Sequence, residues 1–478
     1  MLSLVTNKFM DFKNTKIVCT IGPSSSTEEV FTQLAESGLN VARLNFSHGN
    51  HEERIEQIAM IRKVAKKLGK TITIFADLSG PKMRLGKFEG VKEIKTGEKV
   101  DLSIEPKENE LPMQFDLSPF IEVDQRIYLN DGLVELRVTS TDGKTVKTVA
   151  ENDGWVSSNK GVNVPDTNLR GTAFTEKDEA DAVFALGQGV DYLALSFVQT
   201  TDDMKRAKEL IAEHNPKVKI IVKIEKNEAV DNLDSIVKET DAIMVARGDM
   251  GIEMNPADVP IVQQRLIKLC RQYQKPVIVA TQMLESMIEN PRPTRAEVSD
   301  VANAVLDQAD CVMLSAESAN GKYPVEAVKV MDSIIRNVEQ YPDYKHFTKI
   351  DWSAIEVENI EFNAIASAAA SLANRVGAKG IVVGTATGKT AKMVSAFRPN
   401  VKIVAVTHDE TTSNQMGLVW GAHPLIVKPT DDFNKFQEEI MDQLRENKVF
   451  DKGDKLIIVI GRTAGMSGTT DTIKIATI

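Results

Sequence analysis

Residues 218–225 read VKIIVKIE, a short apolar and β-branched run that is typical of a buried β-strand. Seven further runs of this kind are spread along the chain: TKIVCTIG (15–22), VARLNFS (41–47), TITIFADL (71–78), YLALSFV (192–198), AIMVARGD (242–249), PVIVATQ (276–282) and CVMLSAE (311–317). Charged amphipathic stretches, which are typical of helices, separate most of these runs. Eight strand-plus-helix units in series predict an α/β fold with a closed parallel (β/α)8 barrel, the TIM-barrel architecture. An open doubly wound sheet is the alternative arrangement of the same units.

A long gap separates the third run from the fourth, and we expect a separate domain to be inserted there. Residues 87–163 contain alternating apolar and polar segments, together with Asp-Gly pairs at 131–132, 142–143 and 153–154. Such pairs favour tight turns between antiparallel strands. The inserted segment is therefore predicted to be a small antiparallel β-barrel.

The rest of the chain divides into the barrel and a third domain. The barrel would comprise residues 1–86 and 164–340, close to the typical size of about 250 residues for this architecture. Residues 348–478 again alternate short apolar runs with helical segments. They predict an independent C-terminal α/β domain with a largely parallel sheet.

Composition excludes several classes of protein. The 478 residues are 42% hydrophobic and 26% charged, as in ordinary globular proteins, and the net charge of −10 argues against non-specific nucleic-acid binding. No apolar run reaches the roughly 18 residues of a membrane span, and the first dozen residues lack a secretory pattern. The cysteines at 19, 270 and 311 are scattered within or beside apolar runs, which favours buried thiols over disulfides. We expect a cytoplasmic protein that has no membrane or nucleic-acid partner.

Polar and charged residues stand at the carboxyl ends of the predicted barrel strands, which is where active sites form in such barrels. They are Arg43, Asn45, Ser47 and His48 after the second strand, Asp77 after the third, Lys223 and Glu225 after the fifth, Arg247, Gly248 and Asp249 after the sixth, Thr281 after the seventh and Glu317 after the eighth. One such residue would be explained by a structural salt bridge, but six strands that end alike predict a functional site.

The residue types indicate phosphoryl transfer. Glu225 and Asp249 offer two carboxylates to a divalent cation, leaving room for water and substrate oxygens, which suits Mg²⁺. Lys223 places an ammonium beside that metal and could neutralise a transferring phosphoryl group. Arg43 and Arg84 add anion donors. The alternative is a carboxylate pair neutralised by Lys223 alone, with no metal.

Several stretches of this chain closely resemble the pyruvate kinase family. They are TKIVCTIGPSS (15–25), ARLNFSHG (42–49), DLSGPKMR (77–84), NKGVN (159–163), VKIE (222–225), MVARGDMGIE (244–253), ATQMLESM (280–287), PRPTRAEVSDVANAVLDQAD (291–310) and MLSAES (313–318). The resemblance covers nearly the whole chain. It implies a (β/α)8 barrel with an inserted lid and a regulatory C-terminal domain, and transfer of the phosphoryl group of phosphoenolpyruvate to ADP, giving pyruvate and ATP.

The resemblance also implies a role for each matching residue. Glu225 and Asp249 would bind Mg²⁺ (or Mn²⁺), and Lys223 would stabilise the phosphoryl group. Arg43 would hold the phosphate of the substrate, and Thr281 with the amides of Gly248 and Asp249 would hold its carboxylate. The nucleotide would be contacted by Asn45, His48, Arg84 and, from the lid, Lys160. Thr281 would deliver a proton to the enolate through water, with Ser315 and Glu317 in the same relay. The family resemblance further implies a homotetramer.

One departure from the family pattern concerns a monovalent cation. The family commonly binds K⁺ through residues that match Asn45, Ser47, Asp77 and the carbonyl of Leu78, beside the sequence Asp-Thr-Lys-Gly-Pro-Glu. This chain has Asp-Leu-Ser-Gly-Pro-Lys at 77–82, so that Lys82 replaces a glutamate. A tethered ammonium can supply the charge that K⁺ otherwise gives. We therefore expect no requirement for K⁺; the alternative is that Lys82 is an exposed variant.

A second loop, GTATGKT (384–390), follows a predicted strand and precedes a helix. It has three residues between its glycines where a P-loop has four, so we do not expect it to bind Mg-ATP. A strand, a glycine-rich turn and a helix N-terminus still favour an anion. In the family the matching loop binds a phosphorylated effector, which predicts activation by a sugar phosphate or AMP; a plain helix-capping turn is the alternative. The predicted effector contacts are Thr385, Thr387, Gly388, Lys389, Thr390 and Gly468.

Two rival functions share part of this pattern. One is a different Mg²⁺-dependent barrel enzyme that acts on phosphoenolpyruvate or pyruvate, such as a mutase or an aldolase. It would not explain Lys160 on an inserted lid or the segment PRPTRAE (291–297). The other is a catalytically silent metabolite sensor, which would have no use for Lys223, Glu225, Asp249 and Thr281 together.

Overall fold

The structure, a computed structural model, describes residues 13–107, 110–167, 174–341, 360–428, 433–461 and 470–478. The first part of the barrel consists of β1 (Lys16–Thr20), α1 (Glu28–Ser37), β2 (Leu39–Asn45), α2 (His51–Leu68) and β3 (Thr73–Asp77). Helix α2 begins after Asn50, whose side chain accepts a hydrogen bond from the amide of Glu53, and ends at Gly69, which has a left-handed φ of 59°. Local sequence therefore sets both ends of the helix that follows β2.

The inserted segment is a separate small domain of β-strands. Its strands are β4 (Val91–Ile94), β5 (Lys99–Ser103), β6 (Leu111–Pro112), β7 (Arg126–Leu129), β8 (Val134–Thr141), β9 (Thr145–Ala150), β10 (Gly154–Ser157) and β11 (Val162–Asn163). They form a six-stranded, largely antiparallel sheet in the order β11-β7-β8-β9-β5-β6, and a two-stranded sheet of β10 and β4. Both sheets pack on one core that includes Ile94, Val138 and Val156.

The Asp-Gly pairs of this domain differ in what they do. Those at 131–132 and 142–143 lie in the turns that join β7 to β8 and β8 to β9, as hairpins require. The expectation was wrong for Asp153-Gly154, because β10 pairs with β4 and not with β9. The carboxylate of Asp153 instead accepts a hydrogen bond of 2.8 Å from the amide of Thr96. The predicted domain boundaries stay predictions, although Leu85 already packs in the core of the inserted domain.

The chain then completes the barrel. The elements are α3 (Glu176–Gly187), β12 (Tyr192–Leu195), α4 (Lys205–His214), β13 (Lys219–Ile224), α5 (Asn227–Asp231), α6 (Leu233–Glu239), β14 (Ala242–Ala246), α7 (Arg247–Glu253), α8 (Val259–Gln272), β15 (Val277–Ala280), α9 (Arg295–Leu306), β16 (Cys311–Leu314), α10 (Ala316–Ala319) and α11 (Pro324–Gln340). All pairs are parallel, and the sheet closes in the order β1-β16-β15-β14-β13-β12-β3-β2. The (β/α)8 barrel is confirmed; seven of its strands lie within predicted runs, and β2 begins two residues before the run at 41–47.

The barrel has two layers of core. One lies between strands and helices, and the other fills the interior with side chains such as Val41, Phe75 and Ile221. The cysteines at 19, 270 and 311 are buried free thiols, as expected. Within the part of the chain that the structure describes, no helix has the length and apolar character to cross a bilayer.

The C-terminal domain is an α/β unit. It contains α12 (Ile360–Val376), β17 (Gly380–Gly384), α13 (Lys389–Ala396), β18 (Lys402–Thr407), α14 (Glu410–Gln415), β19 (Ala422–Ile426), α15 (Phe433–Glu446), β20 (Lys455–Gly461) and β21 (Thr470–Thr477). The sheet order is β19-β18-β17-β20-β21, parallel except for β21, which runs antiparallel to β20. The largely parallel sheet is confirmed; β21 is a strand that the sequence reasoning did not predict.

A turn of the C-terminal domain, Met416–Leu418, closes the amino-terminal end of the barrel. Leu418 belongs to the core of the barrel interior, and its carbonyl accepts from the thiol of Cys311. Space is tight, since a Cβ at Gly417 would overlap the hydroxyl of Thr73. Tyr192, inside the barrel, donates a hydrogen bond of 3.2 Å to the carbonyl of Gln415.

Asp310, just before β16, links the two domains through a buried ion pair. Its Oδ2 accepts hydrogen bonds from Nη2 of Arg398 at 3.0 Å and from the amide of Val277 at 3.2 Å. Its Oδ1 accepts from the amide of Trp420 at 3.1 Å and from Nη1 of Arg398 at 3.3 Å. One carboxylate thus satisfies donors from the barrel and from the C-terminal domain.

Replacing Asp310 with alanine should lower the free energy of unfolding by about 3–5 kcal/mol, because it leaves a buried guanidinium without its carboxylate. Urea titration followed by circular dichroism measures this loss. Asp442→Ala is the matched control, since its ion pair with Arg445 is exposed and should contribute almost nothing. Equal losses in the two variants would contradict the prediction.

Candidate active site

Lys223 lies at the centre of a buried ionic cluster at the carboxyl end of the barrel. Its Nζ lies 2.9 Å from Oε1 of Glu225 and 3.4 Å from Oδ1 of Asp77. It also donates a hydrogen bond of 2.8 Å to the hydroxyl of Ser196. Burial works to lower the pKa of Lys223, but the surrounding carboxylates, Asp77 first, raise it above its usual value. Lys223 therefore carries a lasting positive charge.

Arg43 and Asp77 come from adjacent strands, β2 and β3. Nε of Arg43 donates to Oδ2 of Asp77 at 2.6 Å, and Nη1 donates to the hydroxyl of Thr20 at 2.9 Å. Burial opposes ionisation of Asp77, yet the charges of Lys223 and Arg43 keep its pKa below its usual value. The guanidinium is thus held in place beside Lys223.

Glu225 is the most deeply buried acid of the cluster, with no exposed surface. Its Oε2 accepts a hydrogen bond of 2.7 Å from the amide of Phe197. Among the residues that the structure describes, Oε1 accepts no hydrogen bond but lies in ionic contact with Lys223. Burial raises the pKa of Glu225, and the nearby charge of Asp249 raises it further, although Lys223 opposes both. This carboxylate is therefore short of positive charge.

Asp249 lies in the first turn of α7. Its charge acts on Glu225, and its carboxylate lies close to the ammonium of Lys82. Nζ of Lys82 lies 3.4 Å from Oδ1 of Asp249. Lys82 is only 29% exposed, so it is not a free surface side chain. The sequence associates Lys82 with the site of a monovalent cation, whereas in the structure Lys82 faces one of the two carboxylates that were predicted to bind the metal.

Thr281 and Gln282 follow β15 in a strained conformation. Their φ angles are 68° and 53°, in the left-handed region that a β-branched residue such as threonine rarely adopts. The hydroxyl of Thr281 accepts a hydrogen bond of 2.7 Å from the amide of Gly248 and donates one of 2.6 Å to the carbonyl of Ala280. The strain directs this hydroxyl toward α7, as residues of functional sites often require.

Arg247 holds the strained loop in place. Its Nη2 donates to the carbonyl of Thr281 at 2.7 Å, and both Nη atoms pair with Asp300 at 2.7 Å. Glu317 supports the same loop from the other side, because its Oε1 accepts from the amide of Leu284 at 3.1 Å.

Ser315 and Glu317 lie together after β16. Oε2 of Glu317 accepts a hydrogen bond of 2.7 Å from the amide of Ser315. The hydroxyl of Ser315 is buried and, among the residues described, has no hydrogen-bond partner. The two side chains are therefore neighbours, and both carboxylate oxygens of Glu317 accept hydrogen bonds from backbone amides.

The site fits a divalent cation held by two carboxylates. Oε1 of Glu225 is buried and accepts no hydrogen bond from the described part of the chain, and the charge of Asp249 lies close enough to act on Glu225. Across the described residues no group of three or more His, Cys, Asp or Glu side chains could hold a metal ion alone. A metal here would complete its shell with water and substrate oxygens, as Mg²⁺ commonly does.

The four predicted monovalent-cation ligands lie at the ends of β2 and β3, each with a partner in the chain. Oδ1 of Asn45 accepts a hydrogen bond of 3.1 Å from the amide of Ser47, and the carbonyl of Leu78 accepts one of 2.8 Å from Ser196. Asp77 is paired with Arg43 and Lys223. The positive charges of Arg43 and Lys223 already offset the negative charge of the Asp77 carboxylate.

The predicted nucleotide contacts come from the barrel and from the inserted domain. Burial and then the charges of Arg84 and Arg43 lower the pKa of His48, so these side chains lie near one another. A cleft of about 770 Å³ runs beside His48 and Asn45. Lys160 lies in the inserted domain next to Asn159, whose carbonyl accepts a hydrogen bond of 3.0 Å from Nη1 of Arg84. The Nζ of Lys160 lies 5.1 Å from the ring centroid of Trp155.

The predicted effector loop joins β17 to α13. Gly388, with a φ of 80°, immediately precedes α13, and the hydroxyls of Thr390 and Thr470 lie 3.1 Å apart. The carbonyl of Thr387 accepts a hydrogen bond of 3.1 Å from Nζ of Lys219, at the start of β13. Lys389 is the first residue of α13 and Thr385 is buried, while Gly468 lies outside the described residues.

Sequence reasoning missed four residues that shape the site. Ser196 and Phe197 follow β12, and they were overlooked because neither is charged; the rule that strand ends carry function would have found them. Arg247 was noticed at its strand end but assigned no role. Its partner Asp300 lies on α9, and no sequence signal connects the two.

A closed parallel barrel with a lysine between carboxylates at its carboxyl end, and arginines beside them, is typical of an enzyme that transfers phosphoryl groups. Comparison with known families agrees. Residues 12–328 match the family model described as pyruvate kinase, barrel domain, and residues 363–476 match that described as pyruvate kinase, alpha/beta domain.

Curated relatives point the same way. The chain is 42% identical over 471 residues to a pyruvate kinase of Sporosarcina psychrophila and 43% identical over 473 residues to one of Staphylococcus haemolyticus. Each alignment covers 97% of this chain and 80% of the relative. The chain therefore belongs to the pyruvate kinase family. It is a phosphotransferase of glycolysis that transfers the phosphoryl group of phosphoenolpyruvate to ADP, giving pyruvate and ATP. The family membership excludes the mutase, aldolase and silent-sensor alternatives.

Proposed function

We propose that Lys223, together with Arg43 and Thr281, carries out the chemistry of this pyruvate kinase. The observation that carries the proposal is the position of Nζ of Lys223, within 3.4 Å of Asp77 and 2.9 Å of Glu225 at the carboxyl end of the barrel. A buried, permanently charged ammonium there would stabilise the phosphoryl group between donor and acceptor. A lactate-dehydrogenase-coupled assay with phosphoenolpyruvate and ADP tests the activity. ADP-dependent release of pyruvate is expected, and its absence would overturn the proposal.

Glu225 and Asp249 would hold Mg²⁺ (or Mn²⁺). When bound, the cation supplies positive charge to the phosphoryl and enolate oxygens. Lys223 and Lys82 flank the two carboxylates and limit the repulsion between them while the metal is absent. These contacts would preserve the geometry of both carboxylates for the metal.

Arg43 would bind the phosphate of phosphoenolpyruvate, because Asp77 and Thr20 fix its guanidinium in place. Thr281 with the amides of Gly248 and Asp249 would hold the carboxylate. The amide of Gly248 now donates to Thr281, so the substrate carboxylate would have to take over that hydrogen bond.

The proton that completes pyruvate would come by way of Thr281. Its backbone is held by Arg247, which donates to its carbonyl, and its hydroxyl is held by Gly248 and Ala280. Such a fixed hydroxyl suits a group that orients a water molecule. Glu317 and Ser315 would assist, Glu317 by fixing the loop through Leu284 and Ser315 through its buried hydroxyl.

His48, Arg84 and Asn45 would contact the phosphates of ADP at the cleft beside β2. Lys160 would join them from the inserted domain on closure, leaving its present position over Trp155. Closure would exclude water, so that ADP accepts the phosphoryl group in place of water. Family resemblance supports a cytoplasmic homotetramer, and light scattering on the purified protein would test the tetramer.

K⁺ should not activate this enzyme, because the ammonium of Lys82 lies beside Asp249 and Asp77 is already neutralised by Arg43 and Lys223. Replacing K⁺ with Na⁺ or tetramethylammonium, with Mg²⁺ present, should change kcat/KM for phosphoenolpyruvate by less than about twofold. Turnover in each salt at equal ionic strength measures this.

The variant Lys82→Glu provides the matched test of the same idea. It should lose about tenfold or more of its activity without K⁺ and regain much of it when K⁺ is added. Many-fold activation of the wild-type enzyme by K⁺ would contradict the proposal, and so would a variant that K⁺ does not rescue.

The loop before α13 would bind a phosphorylated effector through Thr385, Thr387, Gly388, Lys389 and Thr390, with Gly468 from the C-terminal glycine-rich stretch. Support comes from the left-handed Gly388 at the start of an eight-residue helix and from the paired hydroxyls of Thr390 and Thr470. A panel of sugar phosphates and AMP, assayed at low phosphoenolpyruvate, would identify the activator. Lys389→Ala should raise the concentration for half-activation about tenfold. Lys428→Ala, an exposed lysine of the same domain, should leave it unchanged; an equal effect in both variants would contradict the assignment.

A further inference from the structure

A buried hydrogen bond joins the inserted domain to helix α7 of the barrel. Nδ2 of Asn163, in β11, donates to Oε1 of Glu253, the last residue of α7, at 2.7 Å. Each of the two residues is only 4% exposed. Oδ1 of Asn163 accepts no hydrogen bond from the described part of the chain, so Glu253 is the group that orients this buried amide. The contact is thus shielded from water and specific in direction.

Glu253 is also connected to the segments that carry the two predicted metal ligands. Asp249 lies one turn earlier on the same helix. Oε2 of Glu253 lies 3.7 Å from Nζ of Lys226, the residue that directly follows Glu225. The backbone carbonyl of Glu253 accepts a hydrogen bond of 2.9 Å from Nδ2 of Asn227. The end of α7 is therefore fixed to the segment after β13 and to the inserted domain at one point.

The inserted domain fits closely against this end of α7. A Cβ placed on Gly132, in the turn between β7 and β8, would lie 3.9 Å from Cγ1 of Ile252. On the other side, a crevice of about 30 Å³ is lined by Met83, Asn163 and Glu253, among others, which leaves room for no more than about two water molecules. The contact between Asn163 and Glu253 therefore lies within a packed junction.

Lys160 is carried by the same part of the inserted domain as Asn163. It lies three residues earlier in the chain, and its carbonyl accepts a hydrogen bond of 2.9 Å from the amide of Leu85, in the core of that domain. The next strand is bound in the same way, because the amide of Val162 donates to the carbonyl of Met83 at 3.0 Å. The place of Asn163 on α7 therefore limits where Lys160 can reach.

We propose that Asn163 and Glu253 are positioning residues for the reaction: their hydrogen bond holds the inserted domain at a fixed place on α7, so that Lys160 meets the nucleotide bound to the barrel. The inference rests on the nucleotide contact proposed for Lys160. Breaking the hydrogen bond would leave a buried carboxylate without a donor, so the contact resists displacement. Neither residue touches the reacting atoms.

Without this contact the inserted domain would occupy more orientations, and the apparent affinity for ADP would fall with the fraction of molecules in the competent one. Asn163→Ala should raise the KM for ADP about fivefold. The KM for phosphoenolpyruvate should change by less than about twofold, because the groups proposed to bind it lie in the barrel. Water would be excluded less well, so pyruvate release in the absence of ADP should increase several-fold. The coupled assay, with and without ADP, measures all three quantities.

Exchanging the donor and the acceptor separates positioning from a general loss of structure. Asn163→Asp places a second carboxylate against Glu253, and the KM for ADP should rise at least about tenfold. Adding Glu253→Gln restores a hydrogen bond, now donated by position 253, and should return the KM to within about threefold of the wild type. Asn152→Ala removes hydrogen bonds to Glu135 and Leu133 inside the inserted domain and should leave the KM unchanged.

A wild-type KM for ADP in Asn163→Ala would overturn the inference, and so would a double variant no better than Asn163→Asp. Lys160→Ala distinguishes this failure from that of the proposed function. If Lys160→Ala leaves the KM for ADP unchanged, the nucleotide contact of Lys160 is refuted and the inference with it. If Lys160→Ala raises the KM and the Asn163 variants do not, only the inference is refuted. Circular dichroism verifies that each variant is folded.

Discussion

Lys223→Met should lower kcat about 10³- to 10⁵-fold, the loss expected when a charge that stabilises a transferring phosphoryl group is removed. Methionine keeps much of the length of lysine and removes only the charge. The KM for phosphoenolpyruvate should change far less than kcat, because Arg43 keeps its fixed position against Asp77 and Thr20. Steady-state kinetics in the coupled assay measure both quantities.

The matched control for this variant is Lys226→Met. Lys226 is also a buried lysine and lies three positions further along, but its partner is Glu253, at 3.7 Å. That change should cost at most about tenfold in kcat, since it touches no group of the Lys223 cluster. If the two variants lost activity equally, or if Lys223→Met kept more than a tenth of wild-type kcat while folded, the role of Lys223 would be refuted.

Asp249→Asn should weaken the binding of the divalent cation by about 100-fold or more, because it removes one of only two carboxylates that would hold the metal. The amide keeps the shape of the side chain and its place in the first turn of α7. Titration of Mn²⁺ followed by electron paramagnetic resonance measures the affinity without any turnover. At saturating metal, kcat should recover only in part.

Asp300→Asn serves as the comparison for the metal prediction. Asp300 pairs with Arg247 behind the Thr281 loop, so its loss should affect turnover through the loop and leave Mn²⁺ affinity close to that of the wild type. Unchanged Mn²⁺ affinity in Asp249→Asn would show that Glu225 and Asp249 are not the metal ligands.

Much of the barrel was predictable because each of its strands is a run of apolar residues flanked by an amphipathic helix. β21 (Thr470–Thr477) was missed for the opposite reason. Its sequence, TDTIKIAT, alternates with polar residues because much of the strand is exposed at the sheet edge. The pairing of β10 with β4 was also hidden, since strand partners distant in sequence leave no local pattern.

Part of the candidate site was also predictable from the sequence, and part of it was not. Lys223, Glu225 and Asp249 could be found because charged residues at buried strand ends are costly unless they have a function. Ser196 escaped notice, although it accepts the hydrogen bond of Lys223, because an uncharged residue in an apolar run gives no such signal. The ion pair between Arg247 and Asp300 could not be predicted, because it joins two residues that are brought together only by the tertiary fold.

The turn Met416–Leu418 has a consequence for the order in which the protein is made. Leu418 contacts Cys311 of the last barrel strand, yet the two are 107 residues apart in the chain. Because synthesis proceeds from the N-terminus, all eight barrel strands leave the ribosome before the turn that closes the amino-terminal end of the barrel. Until then the interior around Tyr192 and Cys311 lacks its cover. A nascent chain halted before residue 418 should therefore bind chaperones more strongly than one halted after it.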